Sequence, residues 1–186
     1  MIDMTNTEQY PYGMSVHDAP AGSMQDFRAA GKGANAKVGI IFVHGFTGSP
    51  ISMRPWADYF HDRGYSVSVP LLPGHGTTPG DLNLVKWQQW PAKVEEELEW
   101  MHTQGMKVFI FGLSMGGGTT LNVCLKHSSS IAGIVLVNPM IHIPGIQIKF
   151  VHIISRIQKS RASVGDDIKK PGVTEWGYDA LPLKGV

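Results

Sequence analysis

The stretch KVFIFGLSMGGGTT, residues 107–120, decides the fold. Val108, Phe109, Ile110 and Phe111 form a short unbroken apolar run, the pattern of a strand buried on both faces of a parallel sheet. Gly112-Leu113-Ser114-Met115-Gly116 follows at once and matches G-x-S-x-G. That pattern describes a sharp strand-to-helix turn that holds a serine hydroxyl above the sheet. Gly112 and Gly116 stand two residues either side of Ser114, where side chains would crowd so tight a turn. Leu121, Cys124 and Leu125 fall at helical spacing and supply the helix beyond it. The bland alternative is a glycine-rich loop that happens to hold a serine. A strand before and a helix after favour a nucleophile.

Other segments extend the pattern on both sides. VGIIFVHG (38–45), YSVSVP (65–70) and AGIVLVNP (132–139) read as strands. An edge strand is expected near Met24–Arg28, inside the otherwise polar residues 1–36. Met53, Trp56, Ala57 and Phe60 share one helical face, with Ser52 as the expected N-cap, Pro55 in the first turn and Gly64 as the stop. Trp87, Trp90, Val94, Leu98 and Met101 keep a helical period, with Glu95–Glu97 and Glu99 directed mostly to solvent. Pro91 is expected to kink that stretch or to start a second helix, and Gly105 to end it. Strand alternating with helix predicts an α/β fold with a mostly parallel, doubly wound sheet. Ligands bind such sheets at the carboxyl ends of the strands, where Ser114 stands.

Composition bounds the rest. With 186 residues, 42% of them hydrophobic, the chain is long enough for a domain with a real core. A net charge of +1 with scattered basic residues gives no footprint for nucleic acid. The single cysteine, Cys124, excludes an internal disulfide and fits a reducing, cytoplasmic compartment; a small buried hydrophobe is its simplest role. The start, MIDMTNTEQYPYGMS, has neither the basic nor the apolar region of a signal peptide. No apolar run is long enough to span a bilayer; the longest, Ile141–Ile157, is broken by Pro144, Gly145, Lys149 and Arg156. The histidines show no metal-ligand spacing, and neither metal nor cofactor is expected.

An acyl-transfer serine needs hydrogen-bond donors for the oxyanion of its transition state. One is the N–H of Met115, directly after the serine at a helix N-terminus. The second is expected from FVHGFTGSP, residues 42–50, where Phe46 follows the strand-ending His44-Gly45 with its N–H free. His44 itself is expected to brace this loop by hydrogen bonding rather than to act on substrate.

HGFTGSP, PLLPGHG, the Trp87/Trp90 pair and GLSMGG together resemble the α/β-hydrolase superfamily, nearest to its bacterial carboxylesterases and monoacylglycerol lipases. The resemblance covers about residues 36–186. It implies Ser114 as nucleophile, with Phe46 and Met115 as oxyanion amides. It also implies a core over residues 1–139 and a small helical cap over 140–186, closed by YDALPLKGV. An ordinary pair of surface helices is the other reading of that last segment.

The family orders its triad as serine, then aspartate, then histidine. After Ser114 the acids are Asp166, Asp167, Glu175 and Asp179, none followed by a histidine; the last histidine is His152. The expectation is a hydrolase whose C-terminal strands, triad acid and histidine lie outside this sequence. The expected activity is hydrolysis of a small carboxylic ester through an acyl-enzyme on Ser114. Phe46, Met115, Met140 and Ile143 suit a short-to-medium acyl chain. A non-catalytic or inert fragment of the same fold, and a carbon–carbon bond hydrolase or perhydrolase, remain open beside it.

Overall fold

The computed structural model describes Gly22, residues 24–142, and the backbone of Ser160–Ala162 and Ala180–Pro182. Five strands form the main sheet: β1 (Phe27–Ala29), β2 (Val38–Val43), β3 (Ser66–Val69), β4 (Lys107–Leu113) and β5 (Ile131–Val137). Their order is β1-β3-β2-β4-β5, with β1 antiparallel to β3 and every other pair parallel. The helices are α1 (Arg54–His61), α2 (Pro79–Leu82), α3 (Gln89–Thr103) and α4 (Met115–His127). From β2 the chain moves outward to β3, then crosses back to β4 on the other side. The ends of β2 and β4 therefore form the switch point at which such sheets bind ligands.

Alternation along β2 explains why both faces are covered. Ile40 and Phe42 pack with Met53 and Ala57 on the α1 side, whereas Ile41 and Val43 pack with Val94, Leu98 and Val123 on the α3–α4 side. The helix ends follow their sequence signals in part. Pro55 sits in the first turn of α1, and Gly64 takes φ +87° just past its end. Pro91 lies in the first turn of α3, so it starts that helix rather than kinking it. The short α2 carries a reciprocal capping box between Thr78 and Asp81.

Four readings are corrected. Ser52 does not cap α1: its hydroxyl donates to the Ser49 carbonyl at 2.8 Å inside a 3-10 turn, Pro50–Ser52. Trp87 precedes α3 and is exposed. Cys124 is half-buried rather than fully buried. Glu97 is fully buried, because Arg28 from β1 meets its carboxylate with two hydrogen bonds of 2.7 and 2.8 Å. Burial alone would push the Glu97 carboxyl up, but Arg28, the Ser68 hydroxyl and Lys93 together hold it below the ordinary value.

The helical cap expected over 140–186 lies almost wholly outside the described residues. The described part contains an antiparallel pair, β6 (Ser160–Ala162) with β7 (Ala180–Pro182). Among the described residues no helix is long and apolar enough to cross a membrane.

Candidate active site

Ser114 links β4 to α4 with φ 53° and ψ −117°, in the half of backbone space that L residues rarely adopt. The surrounding bonds hold it there. Its N–H donates to the Val137 carbonyl at 3.0 Å, extending the β4–β5 ladder by one residue. Its carbonyl accepts the amides of Gly117 at 2.9 Å, Gly118 at 3.3 Å and Met140 at 2.9 Å. A strained residue persists only when its neighbours over-determine it, and such strain concentrates at functional sites. Met115 is the first residue of α4, so its N–H has no helical partner four residues back.

The glycines around the serine are explained by backbone approach. A Cβ on Gly116 would run into the carbonyl oxygens of Val43 and His44 at the end of β2. One on Gly117 would meet the Pro139 ring at 2.7 Å, and one on Gly118 the Met140 carbonyl at 2.7 Å. The first turn of α4 is thus wedged between β2 and the segment leaving β5. A Cβ on Gly112 would strike Thr120 Oγ1 at 2.5 Å.

Next to the serine lies the turn after β2. A Cβ on Gly45 would stand 3.4 Å from Ser114 Cβ and 4.0 Å from its Oγ. The Gly48 N–H donates to the Gly45 carbonyl at 3.2 Å, and Thr47 takes φ +61°, so residues 45–48 form a tight turn with Phe46 at its second position. The fully buried His44 ring closes the turn from behind. Its Nε2 accepts the Leu72 amide at 3.1 Å, which leaves the proton on Nδ1 to donate to the Gly45 carbonyl at 2.9 Å. Burial, then the neighbouring His75, drive the His44 pKa down to about 3. This is the loop-bracing role read from the sequence.

His75, from the PGHG turn, is the feature the sequence reading passed over. It is 1% exposed and contacts the rings of His44, Phe46 and Trp90 at centroid distances of 4.9, 6.1 and 5.7 Å. Burial lowers its pKa to about 4, with the Pro73 and Leu72 carbonyls opposing. Its Nε2 has no hydrogen-bond partner among the described residues. Two histidines at the ends of neighbouring strand loops were the available signal.

A cleft of about 240 Å³ opens between α3 and α4. Trp87, Trp90 and Pro91 line one side, and Met115, Thr119 and Asn122 the other, with Met140 at its edge. Met115 thus offers its amide at the serine turn and its side chain to an apolar cleft. Ile143 lies outside the described residues. Among the described residues no histidine ring is hydrogen-bonded to Ser114 Oγ, and no group of acidic, histidine or cysteine side chains has the makings of a metal site. His142 is exposed; Asp166, Asp167, Glu175 and Asp179 fall outside the described residues.

Residues 34–171 match the protein family described as serine aminopeptidase, S33. A thermostable monoacylglycerol lipase of Bacillus sp. (strain H-257) is 39% identical over 148 residues, which are 80% of this chain and 58% of that protein. A carboxylesterase of Bacillus subtilis (strain 168) is 29% identical over 62% of this chain and 47% of its own length. A solved structure reported for the metagenome-derived lipolytic enzymes LipS and LipT superposes with a TM-score of 0.80 at 30% identity, covering 88% of this chain and 65% of that one. The chain therefore spans about half to two thirds of the length of these relatives.

Proposed function

The chain belongs to the serine aminopeptidase, S33 family and has the α/β-hydrolase fold, and on that premise we propose that it is a serine carboxylic-ester hydrolase of the carboxylesterase or monoacylglycerol lipase kind. The left-handed Ser114 turn, set against Gly45, is the observation that carries the reading. Ser114 Oγ gives its proton to a general base and bonds to the ester carbonyl carbon. The carbonyl oxygen takes up the electron pair and is held by the amides of Phe46 and Met115. The carbon–oxygen bond to the alcohol breaks, and the alcohol leaves with the proton. Water then repeats the sequence on the acyl-enzyme and releases the acid.

Among the described residues no histidine ring is hydrogen-bonded to Ser114 Oγ, which supports placing the general base and its carboxylate in the portion of the relatives that this chain does not span. The cleft beside Met115, walled by Trp87, Trp90 and Met140, supports a small ester with a short-to-medium acyl chain. A cytoplasmic setting belongs to the same proposal and rests on the lone Cys124.

The test is a chain-length series of p-nitrophenyl esters on the full-length product, beside its Ser114→Ala variant. A maximum at short or medium chains, lost by at least a thousandfold in the variant, is the expected result. Activity that survives Ser114→Ala overturns the nucleophile. A fully folded wild type inert to every ester points to the non-catalytic reading, or to carbon–carbon bond hydrolysis.

A further inference from the structure

The amide of Phe46 acts as an oxyanion donor only if the turn that carries it is held still. His44 braces that turn, and His44 is itself aimed by one bond, from the Leu72 amide at 3.1 Å. Leu72 lies in the loop that follows β3. The preceding residue of that loop is fixed from outside the sheet. The Leu71 amide donates to Asp26 Oδ1 at 2.6 Å, and Lys93 Nζ, from α3, donates to Asp26 Oδ2 at 2.8 Å.

We propose that Asp26 is a positioning residue for the oxyanion turn, acting through Leu71, Leu72 and His44; this rests on the reading of Phe46 given above. The connection is continuous. Asp26 holds one amide of the loop, and the next amide of the same loop supplies the donor that fixes His44 in its Nδ1-protonated form. The Nδ1–H then holds the Gly45 carbonyl at 2.9 Å, and that same carbonyl takes the Gly48 amide that closes the turn. If Leu72 N–H swings away, the buried Nε2 is left without its donor, and only the Gly45 carbonyl then keeps the proton on Nδ1. A buried nitrogen without a partner drives the ring to shift, and the turn that it braces shifts with it. The Trp90 indole N–H, donating to the Pro73 carbonyl at 3.1 Å, pins the far side of the loop, and Leu72 is held by its core packing and by the His75 amide on its carbonyl at 3.1 Å; the amide of Leu71 is held by Asp26.

Asp26 is close to half exposed, and its pairing with Lys93 has the look of an ordinary surface ion pair. Three variants separate the two roles. Asp26→Asn keeps an acceptor for the Leu71 amide and gives up the charge. Asp26→Ala removes both. Lys93→Met removes the ion pair and leaves Asp26 on the Leu71 amide; it also removes the Lys93 contact with Glu97 at 3.4 Å.

The experiment is amide hydrogen exchange at Leu72 and Gly48, with the ¹⁵N shifts of the His44 ring, on the 186-residue chain and these variants. Asp26→Ala is expected to speed exchange at both amides at least tenfold and to shift the His44 nitrogens, with Asp26→Asn and Lys93→Met near wild type. In the ester assay on the full-length product Asp26→Ala is expected to lower kcat at least fivefold with KM within twofold, and Asp26→Asn to restore it. Unchanged exchange in Asp26→Ala overturns the proposal, whether or not the ester reading stands. Equal effects in all three variants also overturn it, since a surface ion pair would then explain them. Ester hydrolysis absent from the full-length wild type sinks the functional reading and leaves the exchange result to decide the link between Asp26 and His44.

Discussion

The rings of His44 and His75 meet edge to face, 4.9 Å between centroids, and neither is exposed to water. Both stand behind the turn that carries Phe46, and both are held neutral by burial, with pKa values of about 3 and about 4. An unfolded chain lets each ring titrate near 6.5.

That difference fixes the sign of a pH effect. Between pH 6.5 and about 4 the unfolded state binds more protons than the folded one, so stability falls as pH is lowered through this window and is complete above it. The slope is about 1.4 kcal/mol per pH unit for each histidine. Urea melts of the chain at pH 7, 6 and 5 measure it. A flat profile over that range would mean that the rings take up protons in the folded state. Glu97 acts lower down: its carboxyl is held below its ordinary value, so its contribution is present above about pH 4.5 and is lost on further acidification.

Glu97 anchors the sheet edge. It takes two bonds from Arg28 and one from the Ser68 hydroxyl at 2.7 Å, with Lys93 Nζ at 3.4 Å. Replacing it with alanine leaves the Ser68 hydroxyl and the Arg28 guanidinium without their acceptor. We expect Glu97→Ala to cost about 2–3 kcal/mol, in line with lost bonds to a charged group. A thermal melt that drops by several degrees checks this, and an unchanged melt refutes it.

Gly116 has no room for a methyl group, because the atoms it would meet are backbone carbonyls of Val43 and His44 rather than side chains. Gly116→Ala is expected to destabilise by about 1–3 kcal/mol, despite the better helix propensity of alanine. The melt of this variant decides it; a stabilised protein would show that α4 can move away from β2.

Ser114 pays for its position in backbone strain. Glycine adopts φ 53° without a Cβ penalty, so Ser114→Gly is expected to raise stability by about 1 kcal/mol while abolishing covalent chemistry. Ser114→Ala keeps the Cβ and is expected to melt close to wild type. Denaturant titration of the pair separates the backbone effect from the hydroxyl. Equal stability of all three proteins would argue against strain.

The parts that were legible in the sequence are those fixed by short-range pattern. Val108–Phe111, the G-x-S-x-G glycines and the apolar face of α3 state their structure locally, through period and through backbone room. Glu97 was misread because a run of three glutamates on a helix looks solvated. Its burial depends on Arg28, 69 positions away on another element. Ser52 was misread because a serine before a helix also fits a 3-10 turn, and the Ser49 carbonyl competed successfully for its hydroxyl. The Thr78–Asp81 box was visible as T-x-x-D but had no long apolar helix after it to draw attention. At the candidate site, spacing and the family resemblance point to Ser114, Met115 and Phe46, and their roles stay a proposal. The support behind them, His75 and Asp26, is tertiary and leaves no mark at any one position.

The three glycines after Met115 have a consequence for the order of assembly. Each is about 1 kcal/mol poorer than alanine as a helix former, so the first turn of α4 does not nucleate by itself. It closes only when the end of β2 is in place on one side and Pro139 and Met140 on the other. Met140 is synthesised 26 positions after the serine whose carbonyl it binds. On a growing chain, Ser114 therefore spends that interval on a slack loop, and its strained backbone sets only when β5 has joined the sheet. The geometry proposed for attack on an ester is then a late product of folding, withheld from every chain whose sheet is unfinished.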